Sequence, residues 1–231
     1  MKQAIITSAA SNATSVAIGV VAGFALLFGV LEPQITHGQL SDTSEFTIQQ
    51  TITAESSFLV EPADIVMAGS INGVTGGQAT GTTQFVVQTN NASGYYVEID
   101  FENNGTPQAM IGDIDASEAI VDYVAGAAAP TFGYTANPAA QLAYAVQSST
   151  TVDTAVAFRN NGAACGTGGF DGASCWKAPD TAAYEIVRRT SPATTGATSS
   201  VIFNVTVPSG ATPVPSAQTY TATATLSLYN L

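Results

Sequence analysis

A chain of 231 residues with 45% apolar composition holds enough material for one sizeable core or two small ones. Only 10% of its residues are charged, against roughly 25% in ordinary soluble domains, so the polar surface is drawn from Thr, Ser, Asn, Gln and Gly, a palette of sheets and turns. Its net charge of −12 repels nucleic acid, because phosphate binding needs clustered Lys and Arg; the one basic pair, Arg188-Arg189, reads as a solvated strand end.

Residues 16–31 read VAIGVVAGFALLFGVL, an uninterrupted apolar run. The run is short of the ~20 residues that comfortably span a bilayer and slightly exceeds the ~7–15-residue core of a secretory signal. Lys2 and the amino terminus supply the positive charge before it, and Glu32-Pro33 ends any helix after it. Thr36 and Gly38 place small side chains at the third and first positions before a cut between Gly38 and Gln39. The expectation is a hydrophobic helix inside a signal peptide over 1–38, with an uncleaved membrane anchor and a buried core helix as alternatives. Membrane contact is then confined to 16–31, and only in the uncleaved case. The remainder, 39–231, is expected as a single domain at the cell surface or outside the cell.

Beyond Gln39 the pattern is strand and turn. Phe46, Ile48 and Ile52 share one parity and predict a first strand over 44–52. Short apolar runs at 58–60 and 65–67 precede the turn residues Asn72-Gly73 and Gly76-Gly77. Phe85 and Val87 alternate with polar neighbours over 82–88, as do Tyr95, Val97, Ile99 and Phe101. The Asn- and Gly-containing stretch 89–94 between them predicts a hairpin. Residues 113–123 suit a helical turn or a loop, 125–140 reads as connection, and periodicity leaves 141–147 open between strand and helix. Further strands are expected at 152–158, 184–188 and 201–207. Tyr220, Ala222, Ala224, Leu226 and Leu228 alternate with Thr and Ser, predicting one long final strand.

Cys165 and Cys175 flank a Gly-rich loop and, in an exported chain, read as a local disulfide. Closing so short a loop stabilises by roughly 2–3 kcal/mol in the chain-entropy account. With no nearby His, two Cys cannot complete a tetrahedral zinc site. The only histidine, His37, sits at the expected cleavage site, which removes His-based triads and most transition-metal sites from a mature chain. No Gly-rich phosphate loop leads into a helix with a following Lys. Glu98, Asp100 and Glu102 alternate along a strand and read as a solvated face. Asp113, Asp115, Glu118 and Asp122 are the one group with oxygen ligands suited to calcium, without the spacing of an EF-hand loop. No other cofactor is expected, and no enzyme activity. Asn91, Asn104 and Asn204 head glycosylation sequons that arise by chance in an Asn- and Thr-rich chain.

Three stretches, TSEFTIQQTITAESSF at 43–58, TTQFVVQTNNASGYYVEI at 82–99 and the ending SVIFNVTV with TYTATATLSL, resemble poorly characterised bacterial surface proteins. In that group a signal peptide precedes a β-sandwich with a Thr-Asn-Asn…Gly-Tyr hairpin and a Thr-Tyr-Thr-Ala-Thr closing strand. The resemblance implies a surface location and a sandwich, and no catalytic residues. A second likeness, to camelysin-like and biofilm-fibre proteins, rests on Ser41-Asp42-Thr43 ahead of Phe46, with Leu40 where those proteins carry an aromatic residue.

The fold expected is all-β, a jelly-roll or Ig-like β-sandwich of about eight to ten strands behind the N-terminal hydrophobic helix. The function expected is structural: an exported subunit of a fibre, pilus or surface layer, self-associating by strand pairing through Phe46, Ile48, Ile52, Tyr220, Leu226 and Leu228. Its motive is a charge-free stretch from Ser191 to Leu231, since an unprotected edge strand invites a neighbour. The alternative is an adhesin or carbohydrate-binding sandwich that stacks surface glycans on Tyr95, Tyr96, Tyr123, Tyr134 and Trp176.

Overall fold

A computed structural model describes residues 43–102 and 108–231. The expected N-terminal helix, the signal or anchor over 1–38, the pair Gly38-Gln39 and the sequon at Asn104 lie outside the described residues. The chain divides into two units, Met1–Thr51 and Ile52–Leu231. In the first, residues 43–51 form no helix or strand, and all are exposed. The strand expected over 44–52 is therefore not formed. Alternation makes a segment competent for a ladder, but backbone bonds must come from a neighbouring strand, and among the described residues none pairs with it.

The second unit is built almost entirely of strands. In chain order they are β1 (Ser56–Val60), β2 (Ile71–Asn72), β3 (Gly76–Thr89), β4 (Tyr95–Phe101), β5 (Met110–Gly112) and β6 (Ala119–Asp122). Then follow β7 (Thr131–Phe132), β8 (Gln141–Ser148), β9 (Cys175–Trp176), β10 (Tyr184–Arg189), β11 (Ala193–Val207), β12 (Tyr220–Thr221) and β13 (Ala224–Asn230). The larger sheet has the order β1-β3-β11-β8-β6-β5-β12, with β2 also on β3. It is antiparallel except where β6 lies parallel to β8. The smaller sheet is β10-β4-β13, and β7 and β9 form a two-stranded ribbon.

Period-two alternation sets which face of each strand is buried. On β3 it buries Phe85 and Val87, on β11 Val201 and Val205, and on β4 Tyr95, Val97, Ile99 and Phe101. Phe85, Val87, Val201, Tyr144 and Val146 from the larger sheet meet Val97, Ile99, Ile186 and Val187 from the smaller one in a single hydrophobic cluster, completed by Phe158. The central strand β8 is buried on both faces. Ala143 and Ala145 on its outer face lie beneath Tyr123 and Trp176, which explains why 141–147 shows no alternation.

Several expectations change at this level. The stretch 89–94 does not close a hairpin: β3 pairs with β1 and β11, while β4 pairs with β10 and β13. The loop crosses from one sheet to the other, so Phe85 and Tyr95 join the same core cluster from opposite sheets. The long final strand is likewise two strands, β12 on β5 and β13 on β4. Residues 152–158 form short 3-10 turns at Thr151–Asp153 and Val156–Phe158 in place of a strand. Residues 113–123 complete the β5–β6 hairpin, and 65–67 remain outside any strand. Cys165 and Cys175 are joined in a disulfide, with Cα atoms 5.9 Å apart. Among the described residues no helix is long and apolar enough to cross a membrane.

Candidate functional site

Edge strands decide which backbone groups this protein can offer a neighbour, and the ends of the two main sheets supply four among the described residues. Three are protected. The outer side of β10 is covered by 154–155, where the Ala155 N–H donates to the Ile186 carbonyl at 3.0 Å. This strand also carries charge: Arg188 pairs with Glu185, and Arg189 pairs with the buried Asp153 at 2.6 Å. A register shift interrupts β1 between Phe58 and Val60, and Glu61-Pro62 follows. The third, β12, is only 2 residues long. The fourth, β13, has 7 residues with neither charge nor proline. Its ladder runs from Ala224 opposite Phe101 to Asn230 opposite Tyr95, and no backbone bond outside that ladder reaches 224–230. At its far end Ser56 donates its hydroxyl to the Asn230 side chain.

Beside β13 lies a groove of about 1170 Å³. Its walls are Ala224 and Leu226 of β13, Ile99 and Phe101 of β4, and the inner-face residues Phe203 and Val205 of β11. The segment 62–67 closes one side. This segment packs against the larger sheet through Thr83, whose hydroxyl donates to the Ala63 carbonyl and accepts from its N–H, each at 2.9 Å. It also crosses Gly81, where any Cβ would collide with the Ile65 side chain. Residues of the wider sheet at its floor, Val201, Val205 and Leu142, are buried, and 62–67 and 214–222 form its rim.

The residues expected to pair during assembly separate into three groups. Phe46, Ile48 and Ile52 are 82%, 84% and 82% exposed and lie in no strand. Tyr220 belongs to β12 and donates its hydroxyl to Glu118 at 3.1 Å. Leu226 and Leu228 lie on β13 and pack against the main cluster. Tyr220 and Leu226 both line the groove.

The acidic group does not converge on a metal-sized space. Among the described residues no cluster of three or more His, Cys, Asp or Glu could hold an ion. Asp115 bonds Ser117, and this holds its carboxyl below the usual range. Glu118 accepts from the Ser216 hydroxyl at 2.6 Å and is held low mainly by that bond. Asp122 accepts from the Ala109 N–H at 3.1 Å, and burial pushes its pKa up to about 6. Asp113 bonds through its backbone N–H to the Thr219 carbonyl at 2.9 Å.

Of the aromatic set, Tyr95 and Tyr123 are fully buried and Trp176 is nearly so. Tyr134 stacks on Tyr123 with ring centroids 4.8 Å apart, and Tyr96 stacks on Tyr229 at 4.9 Å. The Arg188 guanidinium lies over the Tyr96 ring. Asn204 is fully buried and accepts from the Gln78 amide at 2.7 Å, so its sequon is inaccessible in the folded chain. Asn91 ties the crossing loop to the C-terminus, donating to the Leu231 carbonyl at 3.0 Å.

Sequence reasoning passed over Asp171. From the Gly-rich loop it accepts from the Ser148 N–H at 3.0 Å and the Thr154 hydroxyl at 2.8 Å, fastening the disulfide loop to the end of β8. A single Asp among Gly and Ser gives no local signal of that role. No known protein family and no curated protein matches the sequence.

Proposed function

We propose that this protein is an exported, non-enzymatic structural subunit of a fibre, pilus or surface layer, assembled by β-strand pairing at the cell surface. The observation that carries the reading is the β13 edge: seven consecutive residues without charge or proline, their outer backbone groups unpaired, beside an open groove. Unprotected edges drive monomeric proteins to aggregate, and natural sheets normally blunt them. Here three edges are blunted and one is left open, which fits an edge kept for a partner. The disulfide supports an oxidising location. The two sheets, sharing one core, are read as a β-sandwich of jelly-roll or Ig-like type, in keeping with the resemblance to bacterial surface sandwiches and biofilm-fibre proteins.

The adhesin reading has less behind it. Stacking on a sugar needs an exposed aromatic face, and Tyr95, Tyr123 and Trp176 are in the interior. Electron microscopy of native cell-surface material, with antibody against this chain, tests the assembly reading. Labelled filaments or a lattice are expected. Label spread over monomers, with purified protein monomeric at high concentration, overturns it.

A further inference from the structure

Beyond assembly, we propose that the pocket between the segment 152–159 and strand β10 is a binding site for a sugar carboxylate, held by Arg159.

All three arginines of the chain stand at this one place, although Arg159 is remote in sequence from the Arg188-Arg189 pair. Arg159 and Arg188 line a pocket of about 570 Å³, within the roughly 300–1,000 Å³ of small-molecule sites. Arg189 sends its guanidinium to Asp153, which lines the same pocket. In a chain with 17 acidic and 5 basic residues, this concentrates the scarce charge. Two of the three arginines are occupied. Arg188 pairs with Glu185 and lies over the Tyr96 ring. Arg189 binds Asp153 and donates to the Ser191 and Pro192 carbonyls. Among the described residues Arg159 has no ion pair, and its Nε is buried without an acceptor. A buried donor without a partner has given up its bonds to water and gained nothing in return. An anionic acceptor in the pocket would supply what is missing.

The backbone that carries Arg159 is fixed on both sides. Its N–H donates to the Val156 carbonyl at 3.0 Å, and its carbonyl accepts from the Gly166 N–H at 2.9 Å, inside the disulfide loop. Phe158 before it and Asn160 after it are buried. The site is therefore formed before any ligand arrives, which lowers the ordering cost of binding.

The surroundings select the ligand. A guanidinium fork suits carboxylate and phosphate alike. Glu185 and Asp153 are matched by Arg188 and Arg189, which leaves a single positive charge unmatched at the pocket. A monoanion balances it, whereas a phosphate dianion would be repelled by both carboxylates. Val152 and Val156 expose aliphatic side chains to the pocket, and Thr190 and Ser191 supply hydroxyls at its rim. A uronic acid, with one carboxylate, several hydroxyls and an aliphatic C–H face, uses all three. It needs no aromatic platform, so the interior position of Tyr95, Tyr123 and Trp176 does not count against it. The pocket lies along β10, on the other side of β4 from β13, and does not depend on whether subunits polymerise.

The test is equilibrium dialysis of the protein purified from its own cells, a method that serves monomer and polymer alike. The probe is radiolabelled galacturonate, with galactose, oligogalacturonate and oligoglutamate as competitors. Saturable binding of galacturonate is expected, unmoved by galactose and weakened about tenfold or more in Arg159→Gln. Oligogalacturonate that competes better than free galacturonate assigns the pocket to an acidic polysaccharide; equal competition assigns it to the free sugar acid. Oligoglutamate that competes as well as oligogalacturonate makes the ligand an acidic peptide and overturns the sugar assignment. Should Arg159→Gln melt well below the unaltered protein, Val156→Asp decides: it sets a like charge on the exposed wall and should abolish binding with Arg159 in place. No binding by the unaltered protein, or binding indifferent to both substitutions, overturns the inference and leaves the assembly reading standing.

Discussion

At the scale of single residues, one disulfide and one carboxylate give stability effects with a defined sign. The Cys165–Cys175 bond closes a loop of sequence separation 10, and loop-closure entropy predicts that Cys165→Ser with Cys175→Ser costs about 2–3 kcal/mol. Urea titration of oxidised and double-Ser chains should show that difference as a lower midpoint. Asp122 acts in the opposite sense to most carboxylates. Burial raises its pKa from 3.8 to about 6, so the folded state binds its proton more tightly than the unfolded state does. Its contribution is fully favourable below the unfolded value and is lost as pH rises through the folded one. Melting temperature should therefore gain from Asp122 as pH falls from about 7 toward 4, and in Asp122→Asn this component should vanish while the Ala109 bond to the side-chain oxygen remains. Equal pH slopes in the two proteins would refute the assignment. Gly94 is a third constraint, purely steric. Its φ of +87° is one that L side chains rarely adopt, and a Cβ there would collide with the Arg189 carbonyl.

At the scale of elements, the sequence was most legible where one face of a strand is buried and the other wet. Residues 82–88 and 201–207 alternate as they do because β3 and β11 each present one face to the core, and both are strands in the structure. Alternation does not record which sheet a strand belongs to. The stretch 89–94 and the pair Ala222-Thr223 each preserve parity while the chain changes sheets, so a sheet-crossing loop carries the pattern of a hairpin and two strands that of one. Residues 152–158 differ for another reason: Phe158 is buried from a 3-10 turn and Ala155 from the link before it, held by Asp171 and β10, a tertiary arrangement with no local signature. The candidate site was half legible. Phe46, Ile48, Ile52, Leu226 and Leu228 were visible as apolar alternation, whereas the groove exists only once β13 is placed beside β4. The edge itself yields a prediction. Ser227→Lys puts a charge on the solvent-facing side of β13, opposite Glu98, in the manner by which natural edges avoid pairing. Sedimentation should report a shift from polymer to monomer, with the melting temperature of the monomer within a few degrees of the unaltered chain; undiminished polymer would show that β13 is not the pairing edge.

At the scale of the whole molecule, the open groove makes folding and assembly parts of one equilibrium. A subunit with about 1170 Å³ of space beside β13 leaves Phe203 and Leu226 half-buried, and anything that fills the space binds the native state alone. Such binding stabilises by mass action, in proportion to the logarithm of ligand concentration over its dissociation constant. Assembly that buries this space should therefore make the melting temperature rise with protein concentration. A free subunit concentration a hundredfold above the dissociation constant corresponds to about 2.7 kcal/mol, which for a domain of this size is roughly 5–10 °C. Ser227→Lys, which charges the edge, should abolish that dependence. Melting temperatures of the unaltered chain that ignore concentration would mean that the open edge and its groove are not where subunits meet.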